Sequence, residues 1–100
     1  MDSLNNVVPP RAGGGASGTQ AVARAAALLR AIASSSRGES GLAELARTVE
    51  LERPTAHRIL RRLVDEGLAQ QNPATRGYLL GPLVYELGLV AKPPLALYGL

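Results

Sequence analysis

The chain of 100 residues has room for one domain of ordinary size and little else. It contains no cysteine, which excludes disulfides, thiolate metal sites and cysteine nucleophiles, and a reducing cytoplasm is the default expectation. The formal net charge is +3 and ten of the eleven basic residues are Arg, either because guanidinium groups bind phosphate or because a GC-rich genome inflates Arg usage.

The N-terminal segment, residues 1–18, predicts a disordered tail. It combines Pro9 and Pro10 with the glycine run at 13–15 and small polar residues, so it buries too little apolar area to offset the entropy of ordering. It lacks the basic start and the apolar run of a secretory signal. No later stretch is long and apolar enough to cross a bilayer, so no contact with a membrane is expected.

The first predicted helix begins at about Thr19, its expected N-cap, and ends at the serine run 34–36 with Gly38. Arg24 and Arg30 are expected to face solvent. Apolar residues at helical spacing predict the buried face, and these are Val22, Ala25, Leu28 or Leu29, and Ile32.

A shorter second helix is predicted from about Gly41 to Val49, because its apolar residues repeat three and four positions apart. Ser40 is expected to accept hydrogen bonds from the free N–H groups at its start. A helix of this length is not stable alone, so it must pack against the others.

The third helix begins near Arg53 or Pro54, since the first helical turn does not need the N–H that proline lacks. Gly67 ends it as a left-handed C-terminal cap. The side chains expected to face the core are Ala56, Ile59, Leu60, Leu63 and Val64.

A hairpin follows, with strands at 68–71 and 78–80 on either side of the turn-forming residues 72–77. Two short strands alone are marginal, so they must lie against the helices. Pro82 opens a linker helix over residues 82–92, and residues 93–100 form an irregular tail. Tyr78 and Tyr85 are expected to fill a small core rather than to stack on a ligand.

The predicted fold class is mainly α with a small β-hairpin: a winged helix-turn-helix over residues 19–81, with a three-helix core plus the wing, followed by the linker helix. In this architecture the second helix of the pair, about residues 53–66, enters the major groove of DNA. The segment 53–62 holds four Arg and no acid. The candidate DNA-binding residues are Arg53, Thr55, His57, Arg58, Arg61 and Arg62 on this helix and Arg76 at the hairpin tip.

The chemistry of these side chains suits a duplex. An outward Arg pairs with a phosphate or forks onto O6 and N7 of guanine, and Thr55 bonds a phosphate or touches a thymine methyl. His57 is interpreted as a packing or phosphate-contacting residue rather than a catalyst, and Arg76 as a wing contact or an exposed turn residue. Asp65 and Glu66 would repel phosphate, so the contact surface is expected on the N-terminal half of the helix. A solvated face that is rich in Arg by accident is the alternative.

The sequence also resembles a known family. The run LAELARTVELERPTAHRILRRLVDEGL followed by YLLGPLVYELG is similar to the N-terminal domain of IclR-type transcription regulators, and the resemblance covers roughly residues 20–90. It implies a domain that binds operator DNA within a dimer or tetramer, with a larger C-terminal domain that binds a small-molecule effector. It also implies DNA contacts from Arg53, Thr55 and Arg58.

Two positions depart from the family pattern. Glu50 stands where the turn commonly has Gly, which strains the turn if a positive φ is required there. Pro54 stands where Ser is common, which removes a hydroxyl that reaches phosphate. After about Val90 the resemblance ends, so the sequence predicts a fragment or a truncated product that binds DNA constitutively, and no small-molecule effector is expected for this chain.

The predicted function is therefore sequence-specific binding of double-stranded DNA in transcription regulation, by a homodimer without cofactor or metal. The alternative is a winged-helix protein-interaction or dimerisation module without specific DNA binding, because fold alone does not determine function. An enzyme is not expected, since the sequence contains no carboxylate pair, nucleophile–base pair or metal-ligand spacing.

Overall fold

A computed structural model describes residues 18–93 of the chain. Its elements, in order, are helices α1 (Gly18–Ser34), α2 (Leu42–Val49) and α3 (Arg53–Asp65), strands β1 (Ala69–Gln71) and β2 (Tyr78–Leu80), and helix α4 (Pro82–Val90). The predicted fold class is confirmed: the chain is mainly helical with one antiparallel hairpin, arranged as a winged helix-turn-helix. Of the two predicted tails, only Gly18 and Pro93 lie within the described residues, and Gly18 is already helical.

One apolar core joins the first three helices to the hairpin. Leu28 and Ile32 enter it from α1, Leu45 from α2, Leu60 from α3 and Tyr78 from β2, and all five are almost completely buried. Each aliphatic side chain buried in this way contributes about 1.5–3 kcal/mol relative to an exposed one. The core therefore holds the three helices and the hairpin as one unit, with Tyr78 in the role expected for it.

The start of α1 differs from the prediction. Thr19 lies inside the helix instead of capping it, and Val22 is 69% exposed rather than buried. The physical reason is that the first turns of α1 extend beyond the core: residues 18–23 are all exposed, and Ala25 is the first residue of the helix that packs against it.

Ser40 has a different role from the one predicted. Its N–H donates to the Tyr78 carbonyl at 3.0 Å and its carbonyl accepts from the Tyr78 N–H at 2.7 Å, so it extends the hairpin as a one-residue bridge. Gly41 is the N-cap of α2 and forms no side-chain hydrogen bond there. The prediction of a serine cap was wrong because a backbone pairing with a residue far along the chain takes precedence.

The hairpin pairs Ala69 with Leu80 and Gln71 with Tyr78 in antiparallel register. It leads directly into α4, none of whose residues is buried. Tyr85 is 71% exposed, so its predicted place in the core was wrong. The reason is that α4 runs away from the core after its first turn, where Leu83 and Val84 are half-buried.

Within residues 18–93, no helix combines the length and the apolar character needed to span a bilayer.

The corner between β2 and α4 depends on a close backbone approach at Gly81. The Gly81 N–H donates to the Leu68 carbonyl and the Leu83 N–H donates to the Gly67 carbonyl, both at 2.9 Å. A Cβ atom on Gly81 would lie 2.3 Å from the Gly67 oxygen and 2.9 Å from the Ala69 nitrogen. These are backbone atoms, so they cannot give way without breaking the corner.

We expect Gly81→Ala to destabilise the domain by about 3 kcal/mol, because the added methyl group overlaps fixed backbone. Urea unfolding followed by circular dichroism measures the change. The matched control is Gly88→Ala in α4, where a Cβ meets nothing within 4 Å and alanine favours the helix by about 0.5–1 kcal/mol. Equal stability of the two variants would contradict the proposed overlap.

Candidate DNA-binding surface

The turn between α2 and α3 consists of Glu50, Leu51 and Glu52. Glu50 adopts the left-handed conformation, with φ +60° and ψ +48°. Its N–H donates to the Arg47 carbonyl at 3.2 Å, and the Leu51 N–H donates to the Ala46 carbonyl at 2.9 Å. This is the Schellman arrangement, in which the residue after the helix is usually glycine. The requirement for a positive φ at this departure from the family pattern is confirmed.

Replacing Glu50 by Gly is expected to raise the free energy of unfolding by about 1 kcal/mol, since glycine adopts this conformation without the steric cost of a Cβ atom. The shift of the urea midpoint at constant m-value measures it. Glu50→Ala removes the same carboxylate but retains the Cβ atom, so it should give no gain. A similar gain in both variants would assign the effect to charge instead.

Helix α3 begins and ends where the sequence predicts. Arg53 is its first residue and Pro54 its second, after the N-cap Glu52, which forms no side-chain capping bond. At the other end Gly67 has φ +83°, and the Leu68 N–H donates to the Leu63 carbonyl at 2.9 Å, which is a second Schellman ending. The length and orientation of the candidate recognition helix are therefore set by defined backbone signals at both ends.

The inward face of α3 places its basic residues outside. Ala56, Leu60 and Leu63 are buried against the core, as predicted, and a turn of 100° per residue directs Arg58 to the opposite side. The side chains predicted to face outward lie at the surface: Arg53, His57, Arg58, Arg61 and Arg62 are exposed, and Thr55 is half-buried. The structure thus brings all six helical candidates onto one element.

These residues differ in their electrostatic surroundings. Arg62 forms an ion pair with Glu66 at 2.7 Å, one helical turn away, whereas Arg58 forms none within residues 18–93. Such an exposed pair is worth about 0.3–0.5 kcal/mol, so a phosphate can replace the carboxylate. Exposed carboxylates lie at both ends of the helix, with Glu52 directly before it and Asp65 as its last residue. The positive surface is therefore centred on Arg58.

The predicted wing is a six-residue loop, residues 72–77, joined by its own hydrogen bonds. Asn72 Oδ1 accepts from the Ala74 N–H at 2.9 Å, and the Asn72 carbonyl accepts from the Arg76 N–H at 2.7 Å. Gln71 Nε2 donates to the Arg76 carbonyl at 2.8 Å. Arg76 is exposed and has φ +68°, so the loop directs this side chain outward from an uncommon backbone conformation.

Two charged residues beside the wing were missed by the sequence reasoning. Glu39, in the loop between α1 and α2, accepts hydrogen bonds from Thr75 Oγ1 and, at 3.4 Å, from Asn72 Nδ2. Exposed Arg37 lines the same small cavity. No local pattern connects positions 33 and 36 residues apart. The pairing of Ser40 with Tyr78 is the only signal that would have brought them together, and it is itself non-local.

Other site chemistries find no support in the described part of the chain. No group of three or more His, Asp or Glu side chains is placed to hold a metal ion among residues 18–93. A cleft between α1 and α2 is lined mainly by Ala, Ser and aliphatic side chains, with Arg30 and Glu44 among them. A second cleft, between the start of α1 and α3, is lined by apolar side chains together with Arg58 and Arg62 of the candidate surface. The basic surface of α3 and the wing is the feature that calls for a functional explanation.

Comparison with known proteins agrees with this geometry. Residues 21–73 match the family described as the IclR helix-turn-helix domain. The chain is 45% identical over 69 residues to the glycerol operon regulatory protein of Streptomyces griseus, covering 69% of this chain and 27% of that protein. It is 40% identical over 74 residues to the HTH-type transcriptional regulator TtgV of Pseudomonas putida, covering 74% of this chain and 28% of that protein.

A solved structure gives the same result. The crystal structure of an IclR transcriptional regulator from Alicyclobacillus acidocaldarius aligns with a TM-score of 0.64 at 34% identity, over 69% of this chain and 28% of that one. The chain thus spans a little over a quarter of the length of these relatives. The matched family covers more than half of the sequence and includes both helices of the helix-turn-helix. The chain belongs to the IclR family of DNA-binding transcription regulators.

Proposed function

We propose that this chain binds specific sequences of double-stranded DNA in transcription regulation, with α3 (residues 53–66 including its exit) in the major groove. The observation that carries the proposal is the Arg-rich outward surface of residues 53–62, a segment without an acid, on the second helix of a helix-turn-helix. The family of the chain supports it, since the relatives are named as transcription regulators. Residues 19–81 form the DNA-binding unit in this proposal, and residues 82–92 the linker.

The residues divide by position. Arg58, at the centre of the outward face and without an ion pair among the described residues, is suited to fork onto a guanine edge. Arg53 and Thr55 lie by the positive end of the helix, where a phosphate binds well. We assign backbone contacts to His57, Arg61, Arg62 and Arg76.

Removal of one phosphate contact should appear in the salt dependence. With about four to six phosphates neutralised per monomer, the slope of log affinity against log salt is expected near −4 to −5, and Arg61→Ala, which removes a proposed phosphate contact, should lower its magnitude by about one. Arg58→Ala, which removes the proposed guanine contact, should instead weaken binding to the selected sequence by about tenfold or more and relax its specificity. The probe is a duplex enriched from a random pool by repeated selection, and fluorescence anisotropy over a series of salt concentrations gives the slope.

Two further variants sharpen this experiment. Arg30→Ala removes an exposed arginine from α1, beside the α1–α2 cleft, and should leave the slope unchanged. Arg62→Ala should have a smaller effect than Arg61→Ala, because Arg62 exchanges one carboxylate partner for a phosphate. An affinity that hardly responds to salt, or a selection without an enriched sequence, would remove specific DNA binding as the function.

A homodimer is the assembly that we propose. The carrying observation is apolar surface on α4, where Tyr85, Leu89 and Val90 are strongly exposed. Exposed apolar residues that are contiguous in this way mark an association surface. Two paired chains would present their α3 helices to half-sites separated by one or more helical turns on a pseudo-palindrome.

Light scattering coupled to size-exclusion chromatography is expected to give the mass of two chains, and Leu89→Glu should shift the mass toward one chain. Glu86→Gln, on the same helix, is the control and should leave the dimer intact. A dimer that forms normally but does not bind the duplex with measurable affinity would favour the second candidate function, a protein-interaction or dimerisation module. A wild-type monomer at all concentrations would rule out the dimer.

We further infer a non-enzymatic role in the cytoplasm. The relatives are regulators rather than enzymes, and binding to chromosomal DNA in a bacterium takes place in that compartment. The basic face of α3 needs no cofactor to bind DNA, because its guanidinium groups supply the positive charge themselves.

A further inference from the structure

We infer that Glu39 is a positioning residue for the wing: it holds residues 72–77 so that Arg76 is directed at the DNA backbone. The inference rests on the proposed function, in which the wing touches DNA beside α3. Glu39 is not a DNA contact itself, since a carboxylate repels phosphate. It acts through the loop that carries the arginine.

The two carboxylate oxygens of Glu39 bind different parts of the loop. Oε1 accepts from Asn72 Nδ2 at 3.4 Å, where the loop begins, and Oε2 accepts from Thr75 Oγ1 next to Arg76. The same Thr75 oxygen accepts from the Gly77 N–H at 3.1 Å. The residues on both sides of Arg76 are therefore tied, directly or through one hydroxyl, to Glu39.

Packing reinforces these hydrogen bonds. A Cβ atom on Gly77 would lie 2.5 Å from Glu39 Oε2 and 2.6 Å from Glu39 Cγ, so the carboxylate lies directly against the Gly77 backbone, which is buried. The backbone next to Glu39 is itself fixed, because Ser40 exchanges both of its hydrogen bonds with Tyr78. Glu39 thus connects the loop to the core of the domain.

The conformation of Arg76 explains why such a support is needed. Its φ of +68° costs roughly 1 kcal/mol or more for a residue with a Cβ atom. A hairpin of two three-residue strands provides little stability of its own. If the loop relaxed to a negative φ at Arg76, the guanidinium group would point in another direction. The hydrogen bonds of Asn72 and Gln71 to the Arg76 backbone oppose this change from within the hairpin, and Glu39 adds contacts from outside it.

The sign of the mutational effect separates this inference from simple electrostatics. Removing a carboxylate near DNA lowers repulsion and by itself raises affinity. We expect the opposite: Glu39→Ala should weaken binding to the selected duplex about fivefold, the size of a typical coupling between neighbouring residues. Glu39→Gln, which keeps an acceptor for Thr75, should retain most of the affinity.

A double-mutant cycle tests whether the effect passes through Arg76. In an Arg76→Ala background, Glu39→Ala should cause no further loss of affinity, because the guanidinium group that it positions is gone. Thr75→Val, which removes the bridging hydroxyl, should reproduce the loss seen with Glu39→Ala. NMR relaxation supplies a readout without DNA: in Glu39→Ala the order parameters of the Arg76 and Gly77 amides should fall from about 0.85 toward 0.6 or below, while those of α3 stay unchanged.

Several outcomes would overturn the inference. A gain of affinity in Glu39→Ala would make repulsion its only effect, and an equal loss with and without Arg76 would make its role structural in general. Unchanged order parameters at Arg76 would likewise remove the positioning role. Arg58→Ala distinguishes this from failure of the proposed function: if it too leaves affinity unchanged, DNA binding through α3 fails, whereas loss in Arg58→Ala alone refutes only the role of Glu39.

Discussion

Burial of the apolar stripe of α3 is the constraint on which the surface of this domain depends. Ala56, Leu60 and Leu63 must face the core, so the helix has one rotation about its axis that is compatible with packing. A register shift of one residue turns the helix by 100° and would bring His57 or Arg61 toward the interior, where an unpaired charge is very costly. The exposure of the arginines therefore needs no separate stabilisation, since core packing already enforces it.

Among the described residues, two that are not glycine, Glu50 and Arg76, adopt the left-handed backbone conformation. One lies in the turn before the recognition helix and the other in the wing, so both are beside the proposed DNA surface. In each case the residue's own N–H donates a hydrogen bond that holds the conformation in place, from Glu50 to the Arg47 carbonyl and from Arg76 to the Asn72 carbonyl. The local strain is thus compensated by the surrounding structure, which is common where a loop must aim a functional group.

Local sequence signals predicted much of this arrangement and failed at identifiable places. Helical periodicity predicted the inward face of α3, and Gly67 marked its end, because both depend on residues a few positions apart. The bridge between Ser40 and Tyr78, and the support of the wing by Glu39, depend on partners more than thirty positions apart along the chain, so no window of sequence contains them. Tyr85 was misplaced for a related reason: an aromatic residue in an apolar segment suits a core, but no local signal shows that the other described residues leave α4 exposed.

The close approach at Gly81 links the end of the recognition helix mechanically to α4. The Gly67 carbonyl lies just after the left-handed end of α3 and accepts a hydrogen bond from the Leu83 N–H in the first turn of α4. The end of α3 and the start of α4 therefore meet at one corner, although the hairpin separates them along the chain. The direction in which α4 leaves the domain is therefore set by the same residues that end α3 and begin β1.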